Sequence, residues 1–169
     1  LRAIYSYYSR PEVKKEIVDY SKNRWVAVYA LGSKASVFLR YWGRSGVPLT
    51  IANPSDIDNI FRRFWGLKPR TIYASINLYD RLKLKDDVEN VDNVYACTPI
   101  WDIDGSLEEW KSIVEAAGAI LDVLEKEGVI ESVYLKWSGR GIHIHIHEKA
   151  FSQEVLSRYH PLDIAYSVV

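Results

Sequence analysis

The stretch Val133-Tyr134-Leu135-Lys136-Trp137-Ser138-Gly139-Arg140-Gly141-Ile142-His143-Ile144-His145-Ile146-His147 contains two apolar-rich runs separated by a short glycine-flanked turn. Strict alternation of isoleucine and histidine after the turn is the period of a strand with one face buried. The spacing predicts a strand over 133–137, a tight turn over 138–141 and a return strand over 142–147. Upstream, Ser106 caps a long predicted helix with Leu107, Trp110, Ile113, Val114, Ala117, Ile120, Leu121 and Leu124 on its core face, stopped by Gly128. Before that, 95–104 reads as one strand interrupted by Pro99, with a bulge there. A strand, a helix and a two-stranded return make a β-α-β-β unit, and the fold class is α/β (α+β).

The first half is also mixed. A helix is predicted after Ser9-Arg10, with Pro11 in its first turn and Val13, Ile17, Val18 and Tyr20 as its apolar stripe. Strands follow over 25–31 and 37–42, then a helix from Pro54-Ser55-Asp56 to Phe64, and a strand over 71–78. The charged stretch 80–93 reads as a loop. Two short helices, over 152–159 and from Pro161 onward, close the chain. The expected organisation is one domain over 1–169, with an N-terminal αβ unit at about 1–80 and a motif-bearing unit at about 94–169.

Composition narrows the function classes. The chain has 169 residues, 48% apolar and 26% charged, which suits a globular domain. No apolar run is long enough to span a bilayer, so no membrane partner is expected. One cysteine, Cys97, leaves no internal disulfide and no multi-cysteine zinc site, and a reducing, cytoplasmic location is expected. Net charge is zero, yet residues 1–70 hold 13 Lys/Arg against 5 Asp/Glu, and the remainder hold 9 against 17. That asymmetry suits a polyanion-binding surface beside a cation-binding one, or an unevenly charged solvated surface.

On a strand, Asp102 and Asp104 of Trp101-Asp102-Ile103-Asp104-Gly105 share one face. Two carboxylates so close repel unless a cation or proton lies between them, and Mg²⁺ or Mn²⁺ suits oxygen donors. The competing reading is a strand end at which Asp104 caps the turn into the helix. If the crossover places the strands parallel, both carboxylates emerge beside Ser138-Gly139-Arg140-Gly141. That turn offers a hydroxyl, a guanidinium and backbone open to close approach, a set that suits phosphate oxygens. His143, His145 and His147 share a strand face. They read as a solvated face, as a His-x-His zinc site, or with His143 against a nucleotide phosphate. The combination fits metal-assisted phosphoryl or nucleotidyl transfer.

The order Asp-Ile-Asp strand, long helix, and Ser-Gly-Arg-Gly-Ile-His-Ile-His strand resembles the archaeo-eukaryotic primase superfamily. Tyr7-Tyr8-Ser9-Arg10-Pro11-Glu12-Val13, Arg24-Trp25-Val26-Ala27-Val28, Pro54-Ser55-Asp56-Ile57 and Thr71-Ile72-Tyr73-Ala74-Ser75 are similar to archaeal primase small subunits. The resemblance implies a primase catalytic core whose second unit is RRM-like. It also implies DNA-dependent primer synthesis from nucleoside triphosphates on a single-stranded DNA template by a two-metal mechanism. Alternatives within it are a catalytically incomplete nucleic-acid-binding module and a repair-type polymerase. By the same resemblance, Asp102 and Asp104 hold Mg²⁺ or Mn²⁺, with His143 beside them as a catalytic and nucleotide-contacting group. Ser138, Gly139 and Arg140, with Lys136 just before them, hold the incoming nucleotide, and a primase large subunit is a possible partner.

Three features depart from the family pattern. The serine-to-histidine spacing is one residue shorter than in the replicative small subunits, the zinc-knuckle cysteines are missing, and no later acidic residue matches the third motif convincingly. Asp163 is the one late carboxylate after Glu154. With no methionine in the chain and an apolar terminus at Ala165-Tyr166-Ser167-Val168-Val169, the expectation is a fragment of a longer protein whose third carboxylate lies at Asp163 or outside these residues.

Overall fold

The computed structural model describes the backbone of residues 1–169 and every side chain except that of Leu107. The chain forms two compact units, Leu1–Tyr95 and Ala96–Val169. Both are mixed α and β and are built on antiparallel strand pairs.

The first unit begins with helices α1 (Arg2–Tyr8) and α2 (Pro11–Ser21), followed by strands β1 (Arg24–Ala30) and β2 (Val37–Leu39). Helix α3 (Pro54–Phe64), strand β3 (Pro69–Tyr79), the short helix α4 (Lys85–Glu89) and strand β4 (Val94–Cys97) complete it, the chain leaving the unit along β4. The sheet order is β2-β1-β3-β4. Alternation along β1 buries Arg24, Val26, Val28 and Ala30 and leaves Trp25, Ala27 and Tyr29 on the other face. Val26 and Val28 pack with Leu49, Ile51, Ile57, Ile60 and Phe61 into the core, joined by Val13, Ile17 and Val18 of α2. Helix α3 starts cleanly because Asp56 accepts hydrogen bonds from the Ala52 and Asn53 amides at 2.9 and 2.8 Å, with Pro54 in the first turn.

The second unit contains β5 (Ile100–Asp104), α5 (Trp110–Lys126), β6 (Val133–Trp137), β7 (Gly141–Ile146), α6 (Gln153–Arg158) and α7 (Pro161–Val168). Its sheet has the order β5-β7-β6, with β7 antiparallel to both neighbours. Strands β5 and β6 therefore run the same way, separated by the return strand, and their C-terminal ends flank the start of β7. Helix α5 packs on one face of the sheet through Ala117 and Leu124, against Ile144, Ile146, Trp101, Ile103 and Ile142. Ile144 and Ile146 are buried outright, each removing apolar area worth about 1.5–3 kcal/mol, while Trp101, Ile103 and Ile142 are partly covered.

Several local expectations are corrected. The single strand expected over 95–104 is two strands, β4 and β5, in different sheets, because Pro99 lacks the amide a ladder needs. The loop expected over 80–93 contains α4, organised by buried Asp87, which accepts from the Lys83 and Leu84 amides and from Arg81 Nε. Trp110 and Val114, expected in the core, are exposed, since the first turn at 107–109 is a 3-10 turn that rotates the stripe. The expected core position Leu107 lies outside the described side chains. Strand β2 ends at Leu39 rather than Trp42, leaving Tyr41 as an isolated bridge to Pro48. Tyr20, expected on the apolar stripe of α2, is partly exposed and lies under the Arg24 guanidinium at 4.4 Å. Helix α1 was not anticipated from the sequence. Among the described residues, no helix is long and apolar enough to cross a membrane.

Candidate functional site

Because Trp101 and Ile103 are drawn into the α5 interface, alternation turns Asp102 and Asp104 to the sheet's other face. The register places Asp102 opposite His143, and His143 opposite Lys136, so three strands contribute one transverse row. His143 Nε2 lies 3.0 Å from Asp102 Oδ1. The ligating atoms of Asp102, Asp104 and His143 all lie within 4.8 Å of one another. His143 is mostly covered, whereas both carboxylates remain open to solvent.

The turn after β6 closes on this row. Gly139, at φ +100°, and Arg140 form the two-residue link between Ser138 and Gly141, and the glycine supplies a conformation other residues adopt only with strain. The Ser138 amide and Oγ both donate to the Gly141 carbonyl, at 2.9 and 3.2 Å. Arg140 reaches across to Asp104, with Nη2 2.5 Å from Oδ2, and its carbonyl accepts from the Gly105 amide at 3.3 Å. Strands β5 and β7 come so close here that a Cβ on Gly141 would stand 2.1 Å from the Ile103 carbonyl oxygen and 3.0 Å from Asp104 Oδ1. Gly105 is constrained more weakly, since a Cβ there would meet the side-chain end of Ile113, Cδ1, at 2.8 Å. The start of the helix is tied by Ser106, whose amide and Oγ donate to Glu109 Oε2, both at 2.9 Å. Those two bonds hold the Glu109 carboxyl below its usual value.

Asp102, Asp104 and His143 are thus brought together, with Arg140 on the rim and Lys136 exposed beside His143 in the row. Ser138 and Gly139 line the turn, although the Ser138 hydroxyl is spent within it. The three histidines of the return strand do not act as a set. His145 is buried and stacks on Tyr134 at 4.7 Å, and His147 Nδ1 accepts from the Lys149 amide. Among the described residues they form no zinc cluster. Asp163 is exposed on α7 and does not belong to the acidic group. Sequence reasoning missed Asp104 as the partner of Arg140 and Tyr134 as the partner of His145. Once β7 is placed centrally, register alone points to the second pair. A cavity of about 490 Å³ in the first unit, lined by Asp19, Lys22, Asn23, Ile51, Tyr79 and Asp80 among others, contains none of these residues.

Two carboxylate oxygens and an imidazole nitrogen at this separation form a donor set that one divalent cation can gather, and oxygen-rich donors favour Mg²⁺ or Mn²⁺. Neither a scan against protein-family models nor a search of curated proteins finds a match to this chain.

Proposed function

We propose that this chain is the catalytic core of a DNA primase or primase-polymerase, transferring nucleotides from NTPs or dNTPs on a single-stranded DNA template. The observation that carries the proposal is the convergence of Asp102, Asp104 and His143 within 4.8 Å beside a glycine-flanked turn bearing Arg140. Sequence order adds support, because the Asp-Ile-Asp and Ser-Gly-Arg-Gly-Ile-His motifs resemble those of the archaeo-eukaryotic primase superfamily.

In this reading Asp102 and Asp104 hold Mg²⁺ or Mn²⁺. Such a cation, when bound, neutralises triphosphate charge and activates the attacking hydroxyl. Arg140 is 71% exposed at its side chain and pairs with Asp104, so a triphosphate offers its guanidinium a second anionic partner in fork geometry. His143 contacts Asp102 through Nε2 and, in this reading, serves as a nucleotide-contacting group beside the turn. Lys136, next along the row, adds positive charge for the same phosphates. Gly139, with nothing within 4 Å of where a Cβ would stand, leaves the turn's backbone open to a nucleotide.

A second reading rests on the Arg140–Asp104 pair. That bond already compensates one carboxylate without a cation, as in a primase-fold module that binds nucleic acid and has lost catalysis. Binding measurements separate the two. Mn²⁺ titration by electron paramagnetic resonance, with and without dATP, is expected to show metal binding that tightens with nucleotide and is lost in Asp102→Ala. Nucleotide binding that is indifferent to Mn²⁺ and to Asp102→Ala would overturn the catalytic assignment.

A further inference from the structure

The outward face of the first unit's sheet carries a row of rings that no core residue covers. Phe38 on β2 and Tyr73 on β3 are 46% and 48% exposed, yet their rings meet at 5.2 Å. They share a sheet face with Ala27 of the intervening strand β1, which pairs directly with Tyr73 and contributes only a methyl there. Tyr29, the cross-strand partner of Phe38, extends the row at 6.4 Å. On the other side the Arg40 guanidinium lies 5.4 Å from the Phe38 ring and 6.0 Å from Trp25, and Trp25 packs against Tyr41 at 5.4 Å. Arg40 is exposed and makes no ion pair among the described residues.

Charge distinguishes this face from an ordinary apolar patch. No Asp or Glu occurs in β1, β2 or β3. Between Asp19 and Asp56 the chain has no acidic residue at all, while Lys22, Arg24, Lys34, Arg40 and Arg44 fall there. Of these, Arg24 is buried and the others are exposed, as is Arg70 at the start of β3. A protein partner's apolar surface would gain nothing from an acid-free, arginine-bearing surround. A flexible polyanion that carries flat rings gains on both counts, since its bases stack on aromatic side chains and its phosphates meet cations.

We infer that the β1-β2-β3 face, centred on Phe38, Tyr73 and Arg40, is a stacking platform for single-stranded nucleic acid. It uses none of the residues assigned above to chemistry, and binding to it needs neither metal nor nucleoside triphosphate. Its failure is therefore distinguishable from failure of the catalytic assignment.

The test is fluorescence anisotropy of labelled oligo-dT and oligo-U of about 20 nucleotides, with EDTA present, against a control strand of the same length whose deoxyriboses lack bases. Oligo-dT is expected to bind, the base-free strand at least about tenfold more weakly. Phe38→Ala and Tyr73→Ala are each expected to weaken binding about 5- to 150-fold, the range measured for losing one stacked base, while Phe38→Trp retains it. Both alanine variants alter exposed side chains, so their melting temperatures should match the parent's. Affinity is expected to fall about sevenfold between about 50 and 200 mM salt, as release of ions from two phosphates of a single strand gives. Equal binding of the base-free strand overturns the platform in favour of simple charge attraction, and unchanged affinity in the Phe38→Ala/Tyr73→Ala double variant overturns it outright. So does absence of oligonucleotide binding alongside a dimer in sedimentation that Phe38→Ala dissociates, which would make the face a self-association surface.

Discussion

Gly141→Ala is the substitution in which backbone geometry and chemistry are most tightly joined. The new methyl carbon would stand 2.1 Å from the Ile103 carbonyl oxygen, where ordinary contact begins at 3.4 Å, so strands β5 and β7 must part by about 1.3 Å. The closest contact is backbone of β5, and Asp104 is met at 3.0 Å through its Cα as well as its Oδ1, so turning a side chain cannot relieve the overlap. Overpacking of this kind costs about 1–3 kcal/mol, which for a unit of this size lowers Tm by about 4 °C or more. The same displacement carries Asp104 away from Arg140 and from the Asp102–His143 pair, whose donor atoms now lie within 4.8 Å. A misplacement of about 1 Å at a reacting centre can cost about 100-fold. Calorimetry combined with Mn²⁺ titration should therefore show both lower Tm and metal affinity weakened by at least about tenfold. Gly118→Ala is the control of opposite sign. It lies mid-helix in α5 with nothing within 4 Å of a new Cβ, and should be neutral or stabilising by up to about 1 kcal/mol. A Gly141→Ala protein with parental Tm and parental metal affinity would refute the claim that close strand approach positions the site.

Other perturbations follow from the same contacts. Ile144→Ala empties a fully buried position between two histidine registers, and should cost about 2–5 kcal/mol by chemical denaturation and weaken metal binding only through unfolding. Ser106→Ala removes a hydrogen bond to Glu109, so the Glu109 carboxyl should titrate closer to its usual 4.5 in NMR spectra, with fraying at the start of α5 by hydrogen exchange. Asp87 gives a pH prediction. Burial would raise its carboxyl, but the Leu84 and Lys83 amides and Arg81 outweigh that and leave it below its usual 3.8. Its folded value is depressed, so its stabilisation is present above 3.8 and lost as pH falls through the folded value. Melting curves of the parent and Asp87→Asn should accordingly differ at neutral pH and converge in acid. Tyr8 runs the other way, since burial raises its phenol above 10.0 despite the Ile72 amide that donates to it. Its contribution is present below 10.0 and fades as pH rises through the folded value, and Tyr8→Phe should flatten the alkaline limb of the Tm profile.

How much of this was legible in the sequence depended on whether period or tertiary context decides an element. Strands β1, β3, β6 and β7 and helices α2, α3, α6 and α7 are marked by their own alternation, caps and stops, and each lies within a few residues of where the sequence puts it. The grouping of Asp102 with His143 follows only once β7 is paired antiparallel with β5; the Ser138–Gly141 turn marks the β6–β7 hairpin but leaves open which strand takes the other side of β7. Pro99 illustrates what the sequence leaves undecided. A proline inside an apolar run fits a bulge as well as a change of sheet, and only the partners of each half settle it as the latter. The histidines show the same limit. Alternation puts His143, His145 and His147 on one face, but the different neighbours of each make one a partner of Asp102, one a buried ring against Tyr134 and one a cap for the 3-10 turn at 148–150. Trp42 and Phe64, aromatics of the basic half, stack on each other at 6.1 Å at the core, while Phe38 on β2 and Tyr73 on β3 are exposed. Helical spacing could not reveal that exchange, because it depends on which face of β1 the helices cover.

The most direct measurement of the central claim is incorporation of labelled nucleotides on a single-stranded DNA template with Mg²⁺ or Mn²⁺, by this chain and by its Asp102→Asn/Asp104→Asn variant. Template-dependent product from the parent that disappears in the double variant is the predicted result. Product formed equally by both proteins, or no product from a parent that binds metal and triphosphate together, would contradict it.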